Sequence, residues 1–297
     1  MPACTIESIR IPAFALAVLA CSMNLAQAGP PPTHRLTVAS LNLYNRPWKR
    51  ALRTYAAIEH FRRTRPDVIA LQEVSTGWWL PGNPAEEIAE ALGMHCTPIA
   101  WHETNFGIFK TGLAILTREP LQEPARYHEF EQLPFWDGKG FIVARILTPA
   151  GPVRFINVHL ASTNDGQLRA KEWRQLGAFI SKEGPSTAPT VLAGDFNTGP
   201  SDSSLIEFMR ASGASHSNQS SGNLAALRSW APWPYFGKGS CGDANQPVSE
   251  LLDYVFAIAA AGRPAPRFTD NRIFDSIDVP VSTAISDHCA ISARIDW

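Results

Sequence analysis

The chain reads as an α/β protein, two packed β-sheets with helices outside, and three observations carry that reading. Short apolar or β-branched runs alternate with stretches of helical periodicity. The order strand–helix–strand occurs near both ends, with a set of strands between, so the two halves resemble each other. No low-complexity linker or composition break separates them, which argues for one domain. The 297 residues are 45% hydrophobic and 18% charged, enough apolar material for one large core.

The first 28 residues stand apart from that core. Arg10 precedes an apolar run over 11–23, and Ala26-Gln27-Ala28 follows it, the order of a cleaved secretory signal. The run is too short to span a bilayer, and no later stretch is long and apolar enough to do so. The expectation is a secreted or periplasmic protein. Val18-Leu19-Ala20-Cys21 loosely resembles a lipoprotein box, so anchoring through Cys21 is a secondary route. Residues 29–35 are proline-rich and read as a flexible lead-in to a single domain over 36–297.

Strands are expected at 36–41, 68–71, 113–116, 141–147, 153–158, 190–193, 251–256 and 289–295. Helices are expected over 50–63, 86–92, 169–181 and 203–212; Trp173, Leu176 and Ile180 mark the apolar face of the third. The longest irregular stretch, 213–248, is rich in Gly and Pro, and a loop of that length is more often functional than buried. Cys96, Cys241 and Cys289 survive removal of the signal. Cys289, in an apolar run, reads as a buried thiol, leaving Cys96 and Cys241 as the pair that export would permit to bridge. The formal net charge of −1 gives no overall field for nucleic acid, although a local basic patch is compatible with it.

The chemistry-bearing residues sit at the ends of apolar runs, where open α/β sheets bind ligands. Asn42 closes the first run and Gln72-Glu73 the second. Asn157 and His159 are two apart and face one side of a strand, as do Asp195 and Asn197 in Gly194-Asp195-Phe196-Asn197. Asp253 falls within 251–256, and Ser286-Asp287-His288 opens the last strand. Singly, each has a plain structural explanation, such as a loop carboxylate or a polar turn. Their conjunction and order carry the functional reading.

In that order the set resembles the endonuclease/exonuclease/phosphatase superfamily. The matching pieces are Ser40-Leu41-Asn42, Leu71-Gln72-Glu73, the run 112–116, Asn157-Val158-His159-Leu160, Gly194-Asp195-Phe196-Asn197, Leu252-Asp253-Tyr254-Val255 and Ser286-Asp287-His288. The resemblance implies a four-layer α/β sandwich with its site at the top of two sheets, and a metal-dependent hydrolase of phosphate esters. Asn42, Glu73 and Asp287 offer hard oxygen ligands suited to Mg²⁺ or Mn²⁺. By the same resemblance His288 is the general base with Asp253 holding its tautomer, and Asp195 orients the attacking water. Asn197 donates to a phosphoryl oxygen, and His159 in its charged form stabilises the transition state.

The substrate signal is thinner. Lys139-Gly140 ahead of a central strand is similar to a Lys-Gly segment of neutral and bacterial sphingomyelinases. Trp78-Trp79, Phe135-Trp136 and the aromatics of 230–236 crowd expected loops, which favours a membrane interface. The expected substrate is therefore a phospholipid such as sphingomyelin, contacted by Asn157, Lys139, Trp78 and Trp79, with peripheral membrane contact and a monomeric enzyme. One feature weighs against this, since 257–285 carries only Phe268 and Phe274 where some secreted sphingomyelinases have an aromatic hairpin; a secreted nuclease is the main rival. Arg46, Lys49, Arg50, Lys110 and Arg118 would form a nuclease's phosphate-binding patch, and Trp48 would stack on a base. An inositol-type phosphatase and an inactive binding module rank lower.

Overall fold

Side-chain alternation along β1 (Arg35–Asn42) decides the layering. Leu36 and Val38 point one way, Ala39 and Leu41 the other, and all four are fully buried. A strand buried on both faces needs cover on both sides. In this computed structural model, which describes residues 35–78, 80, 82–104, 109–131, 139–148, 151–163, 166–184, 186–220, 228–230, 250–274 and 286–297, one face of β1 meets a second sheet and the other meets helices.

The elements follow in the order α1 (Arg50–Thr64), β2 (Val68–Gly77), α2 (Pro84–Leu92), β3 (His95–Cys96), β4 (Ala100–Thr104), β5 (Phe109–Thr117), β6 (Arg126–Glu129), β7 (Gly140–Thr148), β8 (Gly151–His159), α3 (Gly166–Lys182), β9 (Thr190–Asp195), α4 (Ser203–Ser212), β10 (Ser215–His216), β11 (Asp253–Ile258), β12 (Arg267–Phe274) and β13 (Ala290–Asp296). A seven-stranded sheet runs β12-β13-β1-β2-β5-β3, with β4 also on β5; a six-stranded sheet runs β10-β11-β9-β8-β7-β6. Each contains one parallel pair joined across a helix, β1–α1–β2 and β8–α3–β9. These are the two similar halves expected from the sequence.

Leu36, Val38, Val68 and Leu113 of one sheet meet Ile142, Phe155, Val191 and Val255 of the other. Phe61 and Ile88, from α1 and α2, cover the outside of the first sheet. Trp173, Leu176 and Phe208, from α3 and α4, cover the outside of the second. The result is the four-layer sandwich, helix–sheet–sheet–helix. Local signals set the helix ends: Asn83 accepts from Ala85 N at 3.0 Å ahead of Pro84, and Asp202 accepts from Ser204 N at 2.8 Å.

Three differences from the sequence reading matter. Short edge strands β3, β4, β6 and β10, and β12, were not expected; runs this short, or this polar, carry little periodic signal. Strand β2 does not end at Leu71 but continues to Gly77 through a bulge at Glu73, whose φ is 52°. Among the described cysteines Cys96 is the free thiol and Cys289 is disulfide-bonded, which reverses the expectation for both. The partner of Cys289 lies outside the described residues, as do Cys21, Cys241 and the segments 1–28 and 29–34. No described helix is long and apolar enough to cross a membrane.

Two stability predictions arise here. A Cβ on Gly194 would lie 2.0 Å from the Val158 carbonyl oxygen, inside the parallel β8–β9 ladder. Gly194→Ala should therefore cost about 3 kcal/mol of unfolding free energy; a urea midpoint within error of wild type would refute the close approach. His216, buried beside the rings of Tyr254 and Phe256, has its pKa lowered by burial to about 4 from 6.5. Because the folded value lies below the unfolded one, its contribution is complete above pH 6.5 and is lost as pH falls toward 4. The loss amounts to about 3 kcal/mol. His216→Phe should gain on wild type by that amount between pH 7 and 4; a constant difference would mean that the imidazole charges freely within the fold.

Candidate active site

Strand register brings the polar residues into one row. In the six-stranded sheet Gly140 pairs with His159, His159 with Asp195, and Asp195 with Asp253, across β7, β8, β9 and β11. In the seven-stranded sheet Asn42, the last residue of β1, pairs with Gln72 of β2, one residue before the bulge at Glu73. The row thus lies at the carboxyl ends of the parallel strands. Asp287 and His288 enter just before β13, which lies beside β1.

Asp195 is the hub. Its Oδ2 accepts from Asn42 Nδ2 at 3.0 Å and lies 3.5 Å from Nε2 of both His159 and His288. Its Oδ1 accepts from the backbone N–H of Asn197 at 2.9 Å. Burial, reinforced by the charge of Asp253, raises the Asp195 carboxyl to about 7 against the opposing pull of His288 and these hydrogen bonds.

His288 Nδ1 donates to Asp253 Oδ2 at 2.9 Å, fixing the ring so that Nε2 faces Asp195. Burial, the largest single influence on His288, lowers its pKa. Asp253, Asp195 and Asp287 together outweigh it and raise the value well above 6.5. Ser229 Oγ donates to the same Asp253 oxygen at 2.7 Å and accepts from the Leu252 and Asp253 N–H groups at 2.9 Å. Sequence reasoning missed Ser229: it lies in the aperiodic 213–248 stretch, without a motif of its own.

At the other end of the row, Lys139 is buried with Nζ 2.9 Å from His159 Nε2. Nζ also lies 3.4 Å from Nδ1, so the amine sits against the ring rather than along the lone pair of one nitrogen.

Glu73 Oε2 accepts from Asn45 N at 2.8 Å, and its Oε1 lies 3.3 Å from Asn42 Nδ2. Asn42 Oδ1 accepts from Tyr44 N at 2.9 Å, so the amide turns its nitrogen, not its oxygen, toward Glu73 and Asp195. As placed, Asn42 bridges two carboxylates rather than presenting a metal ligand. Burial, then the charge of Glu73, raises the Asp287 carboxyl. Two carboxylates that press on each other in this way suit a divalent cation, and their hard oxygens fit Mg²⁺ or Mn²⁺. A second group, one ligand atom each from Asp195, Asp253 and His288 within 4.8 Å of one another, could also hold an ion. Its Asp253–His288 hydrogen bond favours proton chemistry there instead.

Asn157, expected to contact substrate, is fully buried. Its Nδ2 donates to Leu71 O and Ala114 O, both at 2.8 Å, and its Oδ1 accepts from Gln72 Nε2 at 2.7 Å. With both amide hydrogens committed across the inter-sheet gap, Asn157 ties the sheets together. Asn197, at φ 45°, donates one amide hydrogen to Leu160 O at 2.8 Å. Trp78 is 82% exposed at the tip of the turn ending β2, while Trp79, Phe135 and Trp136 lie outside the described residues. Arg118 pairs with Asp67 at the opposite end of β2 from Glu73, so it cannot join a basic patch at the site.

Architecture and site together define the class: a four-layer α/β sandwich whose parallel strand ends carry a His–Asp pair among clustered carboxylates. The chain belongs to the endonuclease/exonuclease/phosphatase family, whose model matches residues 39–288. A putative neutral sphingomyelinase of Drosophila melanogaster is 27% identical over 186 residues, 56% of this chain; the match spans only 40% of that relative's length. Among solved structures, D. rerio TDP2 complexed with single strand DNA product is similar at TM-score 0.68 and 19% identity, over 89% of this chain and 99% of that one. Sphingomyelinase C from Streptomyces griseocarneus is similar at TM-score 0.63 and 18% identity, over 88% and 99%. At these identities the two structures speak for the fold alone.

Proposed function

We propose that this is an exported, Mg²⁺-dependent phosphodiesterase that hydrolyses a phospholipid such as sphingomyelin. The observation that carries hydrolysis is the His288–Asp253 pair aimed at Asp195 across 3.5 Å. In the neutral form of the ring, His288 Nε2 takes the proton of a water held by Asp195 while Asp253 keeps the other ring nitrogen protonated, and the neighbouring carboxylates stabilise the imidazolium so formed. Lys139 and the second amide hydrogen of Asn197 meet the charge that develops on the phosphoryl oxygens. Glu73 and Asp287 would hold the cation, which neutralises phosphate charge and stabilises the leaving alkoxide when bound.

The lipid reading is supported by the likeness to a putative neutral sphingomyelinase. It is supported too by the Lys139 amine in the site and by Trp78, exposed in the turn that ends β2. The test is hydrolysis by the purified protein of sphingomyelin vesicles and plasmid DNA in parallel, with and without Mg²⁺. Metal-dependent phosphocholine release with intact plasmid is expected. Plasmid nicking without lipid turnover would make the protein a nuclease, and inertness toward both would remove the lipid assignment.

A further inference from the structure

Charge is unevenly distributed along a chain whose formal net charge is −1. Between residues 46 and 65, Arg46, Lys49, Arg50, Arg53, Arg62, Arg63 and Arg65 stand against Glu59 alone. This segment is the loop after β1 and the helix α1, so it begins three residues beyond the Leu43 that follows Asn42. Arg53 is buried, but Arg46, Lys49, Arg62, Arg63 and Arg65 are exposed.

Large apolar side chains are exposed on the same segment. Leu52, 42% exposed, and Tyr55, 48% exposed, lie three residues apart on one face of α1, and Trp48, 41% exposed, stands in the loop just before the helix. Arg53, Ala56, Ala57 and Phe61 occupy the buried face, so this outer stripe is not a continuation of the core. Lys49 Nζ lies 4.8 Å over the Trp48 ring, placing a cation directly on the aromatic. The adjoining turn of β2 presents Trp78, and Arg50 in the first turn of α1 lies 3.5 Å from Glu87 just beyond that turn. The loop follows the end of β1 that carries Asn42, and Trp78 follows the last residue of β2, beyond Glu73 on the same strand.

We infer that the outer face of α1, with the loop before it, docks on an anionic phospholipid bilayer, Trp48, Leu52 and Tyr55 entering the interface and Arg46 and Lys49 meeting the lipid phosphates. Charge complementarity selects the partner: an excess of basic groups around apolar side chains attracts an anionic surface with an apolar interior. Leu52 favours lipid over nucleic acid, because an aliphatic side chain gains from entering hydrocarbon and has no face on which a base can stack. The docking surface deepens the phospholipid reading and rests on it for its purpose. It would bring the site to the bilayer without drawing on 257–285, whose sequence carries only Phe268 and Phe274 as aromatics.

The experiment uses the full mature protein carrying His288→Ala, in EDTA, so that no turnover enters the measurement. Sedimentation is compared with phosphatidylcholine vesicles and with vesicles containing 3 in 10 phosphatidylglycerol on the order of what recruits basic segments. Binding to the anionic vesicles is expected, weakening with salt. The triple replacement Trp48→Ala, Leu52→Ser, Tyr55→Ser should lower the partition coefficient at least about tenfold. Arg46→Glu with Lys49→Glu should abolish the preference for anionic lipid. Leu147→Ser and Ile206→Ser, equally exposed at 45% and 44% but on other elements, should bind as the parent does. Unfolding midpoints confirm that each variant is folded.

Equal loss in the control variants, or none in the α1 variants, would overturn the assignment. So would α1-dependent binding to a DNA duplex with no binding to vesicles. The outcomes separate from those of the function itself. Vesicle binding without phospholipid turnover by the wild type leaves docking standing and removes the substrate reading. Turnover with unaltered binding of the α1 variants does the reverse.

Discussion

Replacing His288 with alanine is expected to lower turnover of a soluble phosphodiester by about 10³-fold, with the fold retained. The ring is the only group whose Nε2 is both held by a buried carboxylate on its other nitrogen and pointed at Asp195 among the described residues. Asp253→Asn should also be severely impaired. An amide can donate to Nδ1 and so stabilise the tautomer whose Nε2 carries a proton and cannot accept one. Because the two residues act as one unit, the double variant should be little worse than His288→Ala alone. Single-turnover rates, with near-ultraviolet circular dichroism as the control for folding, check all three. Residual activity within about tenfold of wild type in His288→Ala would remove the general-base role.

Much of this arrangement is legible in the sequence for a simple physical reason. Parallel strands end together, so polar residues that close separate apolar runs converge: Asn42, Glu73, His159 and Asp195 did so. What failed to show is depth and hydrogen-bond bookkeeping. Asn157 and His159 share a face, but one pleat separates a residue at the rim from one sealed between the sheets. The orientation of Asn42's amide depends on Tyr44 N, a backbone group no motif announces. Ser229 reaches Asp253 from a stretch without periodicity. The state of Cys289 was misjudged because burial accommodates a thiol and a half-cystine equally well. Arg53 has no motif that separates it from the other arginines of its segment.

That last residue should be costly to truncate although it takes no part in the catalytic row. Its guanidinium donates to Leu43 O at 2.5 Å, Arg46 O at 2.6 Å and Trp48 O at 3.0 Å, closing the loop between β1 and α1 around one buried cation. The loop contains two non-glycine residues at positive φ, Tyr44 at 57° and Lys49 at 47°, a conformation that needs outside support. Burial lowers the Arg53 pKa to about 10 despite the raising influence of Asp287, Tyr44 and Glu73, so the group stays charged at neutral pH. Arg53→Ala leaves three backbone acceptors without their donor and should cost about 3 kcal/mol or more by urea unfolding. Because Asn45 N on this loop holds Glu73 Oε2, the same change should weaken Mn²⁺ binding, read by calorimetry on whatever fraction stays folded. Arg53→Lys supplies charge without the fork, and should recover only part of either loss. Full recovery by lysine would mean that charge near Glu73 and Asp287, rather than the geometry of the loop, is what Arg53 provides.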